Sequence, residues 1–116
     1  MRVEPSILAA RATRGTAGRL REALVALAGG LATIVNHSEK SWASITFAGT
    51  RHRLELAFAG DAPIAAGELF IAFLPEHEFA LPGQLVADAA ITAVDHTLMP
   101  EPRLRVRVEL LLLDES

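Results

Sequence analysis

From Arg103 to Leu110 charged and apolar residues alternate without a break, and Leu112 keeps the apolar phase. Leu104, Val106, Val108, Leu110 and Leu112 interleave with Arg103, Arg105, Arg107 and Glu109. Successive side chains of a strand point to opposite faces, so this segment has one apolar face and one charged face. Such a strand belongs to a sheet that is buried on one side only and needs helices to cover that side. The preceding stretch, Gln84 to His96, reads as its antiparallel partner, joined through Met99-Pro100-Glu101-Pro102. Its expected faces are Leu85, Ala87, Ala89, Ile91 and Ala93 on one side, and Val86, Asp88, Thr92, Val94 and His96 on the other. Ordinary pairing through that turn sets His96 near Arg103 and Thr92 near Arg107.

The rest of the chain supplies the cover. A helix is expected from Thr16, a plausible N-cap, with Leu20, Leu24, Leu27 and Leu31 on one face. Gly29-Gly30 ends it. A short strand follows over Ala32 to Asn36, then a polar loop from His37 to Ser41. A hairpin comes next. Ala43, Ile45 and Phe47 form the apolar face of its first strand, Gly49-Thr50-Arg51-His52 its turn, and Leu54, Leu56 and Phe58 the apolar face of its second. Asp61 caps a second helix with the stripe Ala66, Leu69, Phe70, Phe73 and Leu74, and Pro75 stops it. Gly67 weakens that helix by up to about 1 kcal/mol, so tertiary packing must hold it. Phe79 to Leu81 is a candidate short strand, and Pro82-Gly83 fits a type II turn at a corner.

The order α-β-β-β-α-β-β indicates an α+β two-layer sandwich, with an antiparallel sheet of about five strands and two helices on one face. The 116 residues form a single domain by size, 1–116, with 1–15 a loose N-terminal arm or an extra helical turn.

Composition narrows function mainly by exclusion. There is no cysteine, which removes disulfides, thiolate metal sites and thiol catalysis. A net charge of −3 argues against a dedicated nucleic-acid binder. The apolar run at the N-terminus is too short for a signal peptide. The longest uncharged run, Ala23 to Val35, falls short of the roughly 18 residues of a membrane span. A soluble, cytoplasmic protein without membrane contact is expected. Lys40 is the only lysine, Ala is abundant and Tyr is absent, a composition that suggests a high-GC bacterial genome.

Four groups of residues are candidates for chemistry. His37 and Glu39, beside Ser38 and with Trp42 as a wall, could line a small-molecule cleft or a small enzyme's site, but neighbours in a loop rarely form a nucleophile–base pair. Glu76-His77-Glu78 offers three metal-ligand types in a row, yet consecutive extended residues point apart. Asp88, Asp95 and His96 could do acid–base work, except that Asp88 and His96 lie more than about 20 Å apart along one strand. The polar sheet face carries Trp42, Thr46, Arg53, Arg103, Arg105 and Arg107, with glutamates between the arginines. One aromatic and interrupted charge do not make a nucleic-acid platform. Trp and Arg do favour protein interfaces, and a face of mixed sign can meet its own two-fold copy. The sequence therefore reads best as a non-catalytic interaction or structural protein, self-associating, as a homodimer, through that face or an edge strand. It calls for no cofactor and no metal.

Overall fold

The computed structural model describes residues 5–115, with side-chain surroundings from Gly15 onward. The elements are α1 (Pro5–Leu27), β1 (Thr33–Ala43), β2 (Ala48–Ala59), α2 (Asp61–Phe73), a 3-10 turn at Leu74–Glu76, β3 (Gln84–Thr97) and β4 (Arg103–Asp114). The class is α+β, with one antiparallel sheet of four strands in the order β1-β2-β4-β3. The expected count of five strands is corrected to four, and the order to α-β-β-α-β-β.

The lost strand has a local cause. The short strand, the polar loop and the first hairpin strand are one continuous β1, paired with β2 from Thr33↔Ala57 to Ala43↔Ala48. His37 to Ser41 is therefore not a loop. β1 is an edge strand, open to water along one side, so polar residues cost it little on either face. The hairpin turn sits at Ser44–Phe47 rather than Gly49–His52: Ser44 N–H donates to the Phe47 carbonyl at 2.7 Å, and Phe47 N–H donates to Ser44 Oγ at 3.1 Å. Ile45 and Phe47, expected on an apolar face, project from this turn and are 106% and 53% exposed. Gly49 lies inside β2, where a Cβ would strike the backbone of Leu112.

β4 matches its alternating sequence. Leu104, Val106, Val108, Leu110 and Leu112 are buried, and so are Leu54, Leu56 and Phe58 of β2 opposite them. The apolar phase of β3 is shifted by irregularities at Val86/Asp88 and Ile91/Ala93. Each bulge adds a residue and so reverses the facing of the residues beyond it. Val86, Ala89, Ile91, Val94 and His96 therefore share the inner face, while Leu85, Asp88, Ala93 and Asp95 fall on the outer one. His96 pairs with Leu104, one residue from the expected Arg103, while Thr92, the extra residue of the second bulge, lines the same outer depression as Arg107 although Ala93 is the one paired with it.

Both helices contribute to the core on the inner face, where Leu20, Leu24, Ala28, Ile64, Phe70 and Leu74 join the strand residues. α1 begins at Pro5, so the chain is already helical ahead of Thr16; Met1 to Glu4 lie outside the described residues. It ends as expected, at Gly29 and Gly30 with φ of 69° and 76°, and Leu31 beyond it is exposed. The N-cap of α2 is Gly60 rather than Asp61. The buried face of α2 is Ile64, Gly67 and Phe70, and Leu69 and Phe73 are exposed. Gly67 explains the rotation: a Cβ there would stand 2.7 Å from Leu104 Cδ2 and 3.0 Å from Phe58 Cδ2. The helix turns its smallest residue to the sheet in order to approach it. Pro82-Gly83 makes the expected turn, with Gly83 at φ 75°, and Leu81 forms only an isolated bridge to Gln84.

Candidate functional site

The outer face is built of rows that run across the strands. Ser38, Arg53, Glu109 and Ala90 share one row; Asn36, Glu55, Arg107 and Ala93 share the next. Opposite charges therefore face each other across the two central strands in both rows. Arg53 Nε donates to Glu109 at 2.8 Å, and Arg51 lies 3.7 Å from the same carboxylate. Arg107 Nε donates to Glu55 at 2.9 Å, and Arg105 reaches its other oxygen at 3.3 Å. The hydrogen bond from Arg53 holds the Glu109 carboxyl below the ordinary carboxylate range. Arg103 lies 3.9 Å from Glu101. All four candidate interface arginines thus have acidic partners within the chain, but Arg51 and Arg53 share Glu109 and Arg105 and Arg107 share Glu55, so the middle of this face keeps a surplus of positive charge.

The last row of this face is different. Trp42, Gly49, Leu113 and Leu85 are opposite one another across all four strands. Thr46, Phe47 and Ala48 from the hairpin border the same depression as Leu85 and Leu113. Leu85 is 53% exposed. Of the residues drawn from the sequence as an interface, Thr46 borders this depression, which Asp114 and Glu115 also line, and Trp42 lies in the row beside it, opposite Gly49.

His37 and Glu39 project from the inner face of β1, because they pair with Leu54 and His52 of the inward phase of β2. Trp42 has the opposite phase. The cleft drawn from sequence, with Trp42 as a wall beside His37 and Glu39, is not brought together. The residue that joins the pair is His52, buried to 1% exposure. Placed in a turn by the sequence reading, it was recoverable by extending the alternation Leu54-Leu56-Phe58 back by one period.

Arg21 of α1 completes the cluster. Its guanidinium lies 2.9 Å from His37 Nδ1, and His37 Nε2 lies 2.9 Å from His52 Nδ1. A guanidinium only donates, so His37 Nδ1 accepts and the His37 proton sits on Nε2, where it is donated to His52. Glu39 Oε1 is 3.6 Å from that same His52 nitrogen. Burial is the main cause that lowers both histidines from the ordinary 6.5; His52 and Arg21 lower His37 further, and Glu39 opposes in both cases. Two neutral imidazoles in series could relay a proton. Among the described residues, however, no hydroxyl is hydrogen-bonded to either ring, so the nucleophile–base pair of covalent catalysis is not assembled.

The remaining candidates stay apart. His77 stacks edge-on against Phe79 at 4.6 Å rather than joining Glu76 and Glu78 around a point. Asp88 and Asp95 lie on the outer face and His96 on the inner one.

No protein-family model and no curated protein matches the chain. A chain of a solved structure described as "Virion of native gene transfer agent (GTA) particle" is similar in fold. Its TM-score is 0.57 and its identity 14%, and the alignment covers 86% of this chain and 92% of that one. Among the described residues no helix is long and apolar enough to cross a membrane.

Proposed function

We propose that this protein is a non-catalytic structural subunit that assembles with copies of itself through the apolar end of its outer sheet face. The observation that carries this reading is the row Trp42–Gly49–Leu113–Leu85, flanked by the projecting Phe47 and Ile45. Leu113 is buried and Trp42 half-buried, but Leu85, Phe47 and Ile45 around them are water-exposed, and exposed apolar side chains clustered at one end of a face mark an interaction surface. Asp114 and Glu115 line the same depression, and the arginines of the adjoining rows outnumber their glutamates two to one, so a second copy can set its arginines against these acids. A two-fold contact, in which the same patch serves on both partners, suits such a face. The fold's likeness to a chain of a virion particle agrees with a role in a multi-subunit assembly.

Light scattering coupled to size separation tests the proposal. The wild-type chain should elute as a dimer or larger species at about 10–100 μM, the range where a modest interface is populated. Leu85→Asp and Trp42→Ala should shift it toward monomer, and Arg105→Glu, in the internally paired region, should do so less. A wild-type chain that stays monomeric across that range would reject self-assembly.

A small-molecule site near His37 and Glu39 remains the second reading, favoured by the Arg21–His37–His52–Glu39 contacts. Without Trp42 it is a polar cluster at the rim of the inner face.

A further inference from the structure

Three atoms that can ligate a metal ion converge inside that cluster: His37 Nε2 once it gives up its proton, His52 Nδ1 and Glu39 Oε1. The ligand atoms of these three residues lie within 4.8 Å of one another. The two nitrogens are 2.9 Å apart, and His52 Nδ1 is 3.6 Å from the carboxylate oxygen. Ligands about 2.0–2.2 Å from a tetrahedral zinc ion lie roughly 3.3–3.5 Å from each other. The observed separations bracket that range.

The proton count is what makes the arrangement unusual. With Arg21 donating to His37 Nδ1, the one proton among the three atoms lies between the two rings. Glu39 Oε1 then faces a His52 nitrogen whose lone pair is already used, with no proton between them. A divalent cation would use all three lone pairs at once. Two imidazoles and one carboxylate suit zinc and its transition-metal neighbours rather than magnesium or calcium.

We propose that His37, His52 and Glu39 form a binding site for a divalent transition-metal ion such as zinc, with Arg21 as its gate. Binding moves the His37 proton from Nε2 to Nδ1, which frees Nε2 for the ion, and no proton leaves the protein. The new Nδ1–H can no longer accept from Arg21, so the guanidinium swings off. Glu39 is 38% exposed at its side chain and offers the way in. The fourth coordination position is left to water. This site is independent of the self-assembly surface, which lies on the opposite face.

The test uses the tag-free full chain, stripped with a chelator and titrated with zinc chloride by calorimetry and thermal melting. Saturable one-to-one binding with a rise in Tm is expected, and magnesium chloride should give neither. Glu39→Gln and His37→Gln should each weaken zinc at least tenfold, roughly the scale on which even outer ligands act. Arg21→Gln should bind zinc more tightly, because it removes both the competing hydrogen bond and a nearby positive charge. The double variant His77→Gln/His96→Gln should bind as wild type does. The proposal is overturned by absence of one-to-one binding. Binding that ignores Glu39→Gln and His37→Gln but falls with the double variant overturns it as well. So does an Arg21→Gln affinity equal to or weaker than wild type.

Discussion

Val108 and Arg107 are adjacent in sequence and opposite in consequence. Val108 is 1% exposed on the inner face, and Arg107 has a 62% exposed side chain on the outer one. Val108→Asp would bury a charge with no partner and should cost more than about 3 kcal/mol. Arg107→Ser removes one hydrogen bond to Glu55, which keeps Arg105, and should be nearly neutral for folding. Urea unfolding of the two variants measures the contrast directly. His52 links the same scale to pH. Its folded pKa is below the ordinary 6.5, chiefly through burial. The unfolded chain therefore takes up a proton first as pH falls, and the stability present above 6.5 is lost progressively below it. Glu39 is the group that opposes the lowering, so Glu39→Gln should make this acid loss steeper in metal-free protein. Melting curves between about pH 5 and 7.5, spanning the ordinary histidine range, would show it; a flat Tm in wild type would contradict the assignment.

At the scale of elements, what could be read in advance followed how strongly each segment is buried. β4 is paired on both edges and buried on one face, so every inner position had to be apolar, as Leu104, Val106, Val108, Leu110 and Leu112 are. The turn at Pro82-Gly83 and the glycine end of α1 were legible because backbone geometry demands those residues. β1 was not legible. An edge strand with His37, Glu39 and Ser41 on one face and Ser38 and Lys40 on the other has the composition of a loop. Gly49 then looked like a turn, when it is a strand residue pressed against the Leu112 backbone. The bulges in β3 also hid, since alternation alone has no mark for an inserted residue. The candidate site suffered from the same gap: with β1 cut in two and His52 assigned to a turn, the facing pair His37–His52 could not be seen. α2 was misrotated because Gly67 counts as a weakness in a helix until the sheet beneath it is known. Gly67→Ala tests that account. Helix propensity alone would stabilise by up to about 1 kcal/mol. The contacts with Leu104 and Phe58 should instead overpack the core, with a net loss of about 1–2 kcal/mol and a Tm lower by several degrees.

For the whole molecule, the two faces of the sheet divide the work. The inner face holds the core and, at its β1 rim, the histidine cluster. The outer face carries ion-pair networks over its middle rows, two arginines to each glutamate, and is apolar at one end. It is that end, together with the hairpin tip at Ile45 and Phe47, which a second copy would cover. Amide hydrogen exchange measured from dilute to concentrated protein tests this most directly. The account predicts that slowing at high concentration is confined to residues 42–48 and 84–86, with the exchange of α2 unchanged. Exchange independent of concentration throughout, or protection that appears on α2 around Leu69 and Phe73 instead, would contradict it.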